Sequence, residues 1–156
     1  MGCTEITVEE AEITDHVEVT SFNVESVEGT TEIFSDLVFK NYDNTNSHTA
    51  NIGIKLIKVN DDDVSVPSLW FENDVSFSPG EVKTYNDILI DIADHYPDIL
   101  LGDKIVLEAL CVDNYDGHFT DIEKTITLGK KTETDYMKYV IIGGGILIAL
   151  LSMSKK

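Results

Sequence analysis

The side chains that could do chemistry are few and scattered. His16, His48, His95 and His118 fall in no HExxH or H-x-x-x-H spacing and stand beside no cysteine pair, so zinc is not expected. Cys3 and Cys111 are the only cysteines. Cys111 follows Ile105, Leu107 and Ala109 at alternate positions, which puts it on the inward face of a strand. A buried thiol there behaves as a small apolar side chain, a reading preferred to a disulfide with Cys3 or to a nucleophile. Acidic runs at Glu9-Glu10-Glu12, Asn60 to Asp63 and Asp113 to Gly117 offer the hard oxygen donors that calcium takes. Asp61, Asp62, Asp63, Asp113 and Asp116 are the candidate metal ligands. None of these runs has the D-x-D-x-D-G spacing of a calcium loop, and consecutive aspartates in a turn diverge. Solvated turns are therefore preferred, with a calcium-dependent binding module as the alternative. The sequence has no G-x-S-x-G, no Walker loop and no G-x-G-x-x-G ahead of a helix, and its carboxylate pairs follow from composition alone. No enzyme is expected, and no cofactor apart from that calcium alternative.

Composition narrows the function classes. Among 156 residues, 29 Asp and Glu face 11 basic residues, all of them lysine, for a net charge of −18. Such a chain repels polyanions and lacks the arginine fork that grips phosphate, so nucleic acid is excluded as a partner. At 42% hydrophobic it is too apolar for a disordered acidic tail.

The C-terminus has a different character. From Tyr139 to Met153 there is no charge, and Lys138, Lys155 and Lys156 flank the run. As a helix it would extend about 22 Å, reaching across a roughly 30 Å hydrocarbon layer with help from its Tyr and Lys flanks. Tyr139, Ile141, Gly143, Gly145, Leu147, Ala149 and Leu151 are expected to lie in a lipid bilayer. Gly145 and Ala149 form a small-xxx-small pair suited to self-association of helices. The expected organisation is an acidic extension over 1–12, a folded domain over 13–129, a linker over 130–137, a transmembrane helix over 138–154 and a basic tail. The N-terminus shows no signal-peptide core, so a tail-anchored protein of a virion or cell membrane is expected, with lysines on both sides leaving orientation open.

Between Ile13 and Leu128, seven alternating apolar runs are separated by Asn, Asp, Gly and Pro clusters. They are His16 to Val24, with a bulge between Val19 and Phe22, then Glu32 to Asn41, Ala50 to Val59, Ser68 to Phe77, Val82 to Ile92, Lys104 to Val112 and Phe119 to Leu128. Ala93 to Leu101 reads as a crossing with a turn of helix. Asp116-Gly117 predicts a two-residue type I′ hairpin and Ser78-Pro79-Gly80 a second turn. The fold class expected is all-β: a seven-stranded antiparallel Ig/FN3-like β-sandwich followed by one C-terminal transmembrane helix.

Leu37 to Asn41, a loop, Ala50 to Ile54, then Phe77-Ser78-Pro79-Gly80-Glu81 and a strand ending Val112-Asp113 resemble the CARDB and fibronectin-III-like sandwiches of surface and adhesive proteins. That resemblance covers Val17 to Leu128 and implies a binding or spacer role. Immunoglobulin hallmarks are missing, since Trp70 is off the third strand and no second-strand cysteine faces Cys111. In such a sandwich the loop Tyr42 to Thr49 and the hairpin at Asp113 to His118 share the end away from the chain exit. Asn44, Asn46, His48, Asn114, Tyr115 and His118 are the candidate partner-binding residues there. The function expected is a membrane-anchored structural or interaction protein, foremost a minor capsid or membrane-to-shell linking protein of a membrane-containing virion, with a cellular adhesion module as the alternative.

Overall fold

The computed structural model describes residues 15–130. The acidic extension, Cys3 and the apolar segment with its seven proposed lipid-facing residues lie outside the described residues.

The chain builds β1 (Val17–Ser26), β2 (Glu32–Asn41), β3 (His48–Val59), β4 (Asp62–Asp63), β5 (Trp70–Phe77), β6 (Val82–Asp91), the short helix α1 (Ile92–His95), β7 (Lys104–Asp113) and β8 (Phe119–Thr127). One sheet has the order β1-β2-β6; in the other, β4-β3-β7-β8 are joined by β5, which also pairs β3. Every pairing is antiparallel. The expectation of seven strands is corrected to eight, because Asp62 and Asp63 fold back on Val59 and Lys58 as a minimal strand.

Period-two alternation drives the assembly. β2 buries Ile33, Leu37 and Phe39, and β7 buries Ile105, Leu107, Ala109 and Cys111, while their neighbours stay less covered. Two such faces close on one another around Phe22, Phe39, Phe77, Ile52 and Ile54, all 2% exposed or less. Burying side chains of this size contributes about 1.5–3 kcal/mol each, offset largely by chain entropy. The bulge expected in β1 is present, with register shifting between Val19 and Ser21. It lets Val17, Val19 and Phe22 all point inward.

Two turns decide the ends. Gly80 has φ +71, and Glu81 N–H donates to the Ser78 carbonyl, which makes Ser78 to Glu81 a type II turn with Pro79 leading. The β7–β8 hairpin differs from the type I′ expectation. Asp113 and His118 close a longer loop in which only Gly117, at φ +78, is left-handed, while Asp116 is not. The physical reason is that Asp113 is drawn inward at the end of β7, where its Oδ1 accepts the Tyr115 N–H and shapes the loop as an Asx turn.

Candidate functional site

The chemistry gathers at the end of the molecule where β2, β3 and β7 present their terminal inward positions. Extending each strand's alternation by one step places Asn41, His48 and Asp113 over the core, and all three are buried. The chain then turns so that Asp43, 7% exposed, faces the same spot.

His48 lies between two carboxylates. Its Nδ1 is 2.8 Å from Asp113 Oδ2 and its Nε2 is 2.9 Å from Asp43 Oδ2. Both oxygens are acceptors, so the ring satisfies both only as a doubly protonated imidazolium. Burial alone would lower the His48 pKa, yet the hydrogen bonds and charges of Asp43 and Asp113 outweigh it and raise the value. His48, with help from the Thr45 N–H, in turn holds Asp43 well below the usual carboxylate range. Both carboxylates take further donors: Asp43 takes Thr45 and Asn46, and Asp113 takes the backbone N–H of Val17 and of Tyr115. Asn41 completes the cap by donating to the carbonyls of Asn46 and Ser78. The cluster pins the loop 42–47, the start of β1 and the β7–β8 hairpin to one another.

This arrangement corrects one expectation. His48 is not an adaptable surface contact; it is 3% exposed and committed to holding the fold. Asn44, Asn46, Asn114 and Tyr115 are exposed, and His118 is half-buried. The two loops do share one end, where the Asn114 N–H donates to the Thr49 carbonyl. The Tyr115 ring, 74% exposed, stands edge-on to the His48 ring at 4.8 Å between centroids.

The candidate metal ligands do not converge as a set. Asp61, Asp62 and Asp63 sit where β3 ends, Asp113 and Asp116 where it begins, roughly 30 Å away along the strand. Asp61 is paired with Lys104 Nζ at 2.6 Å, which lowers its pKa. The hairpin does bring Asp113 and Asp116 to His16, a residue that spacing alone does not single out. His16 and His118 stack at 3.8 Å, and His118 Nε2 lies 3.7 Å from Glu18.

Cys111 is fully buried and free, its thiol pushed up to about 12 by burial and then by the charges of Asp113 and Glu18. A thiol held protonated in this way is a poor nucleophile. On the outer face of the second sheet, burial raises Glu108 to about 7, reinforced by a hydrogen bond with Asp121, while Lys55 opposes the shift. The outer face of the first sheet exposes the cross-strand neighbours Phe34 and Leu89, beside a cleft of about 310 Å³ lined by Asn23, Glu25, Phe34, Asp36 and Asp87. Among the described residues no helix is long and apolar enough to cross a membrane.

Compared with known proteins, the chain matches no family model and no curated protein by sequence.

Proposed function

We propose that the protein is a non-enzymatic, membrane-anchored Ig/FN3-like sandwich that holds an interaction surface away from a bilayer. Its foremost role is as a small structural protein linking membrane to shell in a membrane-containing virion. The observation that carries this reading is polarity along the strands. β8 ends beside Lys104 and the turn after β3, so Gly129 and Lys130 leave from the end opposite the exposed loops around Asn44 and Tyr115. The chain therefore leaves toward its apolar run from the end opposite the loops rich in Asn, Ser and Tyr. The cleft beside Phe34 adds a mainly polar and acidic patch on a sheet face, suited to a partner segment that carries lysine or arginine. Gly145 and Ala149 would let anchors pair within lipid.

A cellular surface module of CARDB or fibronectin-III type is the second reading. It is favoured by strand order: the first, second and sixth strands face the third, seventh and eighth, as A, B and E face C, F and G in such sandwiches, with β4 and β5 edging the second sheet.

Fractionation tests the proposal. The full chain should sediment with membranes or with purified particles and be released by detergent, whereas a chain ending at Lys130 should stay in the supernatant. A full chain that remains monomeric in the supernatant without detergent would overturn it; a processed precursor at a cell surface would select the second reading.

A further inference from the structure

The distal end carries a second cluster that shares Asp113 with the His48 network and adds His16 and Asp116. One nitrogen of His16 and one carboxylate oxygen each from Asp113 and Asp116 lie within 4.8 Å of one another. His16 stands just before β1, and Asp116 in the β7–β8 loop; the closure of one sheet on the other brings together residues from opposite ends of the domain. His16 Nδ1 is buried and has no hydrogen-bond partner among the described residues. It is 2.7 Å from Asp116 Oδ2, but the approach lacks the alignment that a hydrogen bond needs. A ring nitrogen converging with two carboxylate oxygens without an aligned hydrogen bond is a donor set that a cation would complete.

The donors have capacity left. Asp116 Oδ1 accepts the His118 N–H, leaving Oδ2 for another partner. Asp113 Oδ1 accepts only the Tyr115 N–H and keeps a lone pair. Asp113 is itself fully buried and oriented by the Val17 N–H and by His48, the outer support that fixes a ligand carboxylate. Charge favours a cation as well, because Asp43, Asp113, Asp116 and Glu18 surround the region and His48 is already spent between the first two.

We propose that His16, Asp113 and Asp116 bind one divalent transition-metal ion of the zinc, cobalt or manganese class at the end of the domain opposite the chain exit at Lys130. A nitrogen donor with two carboxylates suits these ions and not calcium, which prefers six to eight oxygens. Two donors at about 2.1 Å from one tetrahedral ion stand roughly 3.4 Å apart, so binding opens the His16–Asp116 contact by under about 1 Å. The solvent-facing side stays open for water or for a donor from a partner, so the ion could tie the distal loops to a neighbouring protein. The metal site stands independently of the membrane proposal.

The test uses the full chain in detergent, stripped with a chelator and then titrated separately with zinc, cobalt and calcium ions. One zinc per chain is expected, together with a cobalt visible spectrum of mixed nitrogen and oxygen ligation. His16→Ala and Asp116→Asn should each weaken zinc at least about tenfold, while Asp62→Asn at the other end should not. Circular dichroism checks folding, and if His16→Ala fails to fold, Asp116→Asn decides, since Asp116 is an exposed loop residue. Absence of saturable zinc binding, unchanged affinity in Asp116→Asn, or a site that takes calcium in preference to zinc would each overturn the proposal.

Discussion

At the scale of single residues, His48 carries the clearest energetic consequence. Asp113 satisfies the ring and two backbone N–H groups, so Asp113→Ala leaves two buried donors and one part-buried donor without partners. The loss should be about 3–5 kcal/mol, read as a lower urea midpoint, because an imidazolium stripped of a partner is costly in a dry site. The pH dependence has two limbs. The raised His48 pKa adds stability that is fully present below its ordinary value of 6.5 and is lost as pH rises through the folded value. The lowered Asp43 pKa adds stability present above 3.8 and lost as pH falls towards the folded value. Denaturation midpoints should therefore form a plateau between those two ordinary values, and His48→Gln should flatten the alkaline limb in particular. The origin of this network was readable in part: His48 and Asp113 continue the inward alternation of β3 and β7, but a polar residue at a strand end looks like a loop residue until its partner is known.

At the scale of elements, the second sheet depends on a close approach at Gly53. A Cβ added there would meet Phe71 Cδ1 and the Trp70 carbonyl oxygen, each at 2.9 Å. The aromatic ring can swing aside, but the carbonyl belongs to β5 and cannot move without loosening the β3–β5 pairing. Gly53→Ala should cost about 1–3 kcal/mol and loosen β5 before the rest. Trp70 is the sole tryptophan, so its fluorescence should shift to the red ahead of the global transition in urea. Strand positions were legible because alternation and turn residues are local properties: β2 runs over Glu32–Asn41 as expected, and β1 carries its bulge. β4 was not, since two aspartates have no strand propensity and pair only because Val59 ends beside them. The hairpin turn likewise follows from the inward pull on Asp113 and not from its Asp-Gly pair.

At the scale of the whole molecule, charge is the dominant fact. A net −18 is relieved by few cations, and Lys58–Asp63, Lys83–Glu81 and Lys104–Asp61 pair at partly exposed positions. Pairs in water contribute little, so self-repulsion should be felt across the whole domain. Raising sodium chloride from about 10 to about 150 mM shortens the screening length from roughly 30 to 8 Å. That change should stabilise the fold by about 1 kcal/mol, or roughly 4 °C in Tm by calorimetry. A fall in Tm would show that the carboxylates are already compensated.

Composition and period-two patterning by themselves determined an acidic all-β domain with an apolar C-terminal run, because net charge and the inside or outside of a strand are set by residue type and position alone. Only the tertiary structure decided that Asp43, His48 and Asp113 form one buried unit and that His16 meets Asp116. Asp43 and His48 are near neighbours, but Asp113 and the His16–Asp116 pair join distant parts of the chain, and those contacts depend on which strand ends the two sheets bring together. The carboxylates that looked alike in the sequence were sorted by that closure into buried supports at one end and solvated turns at the other.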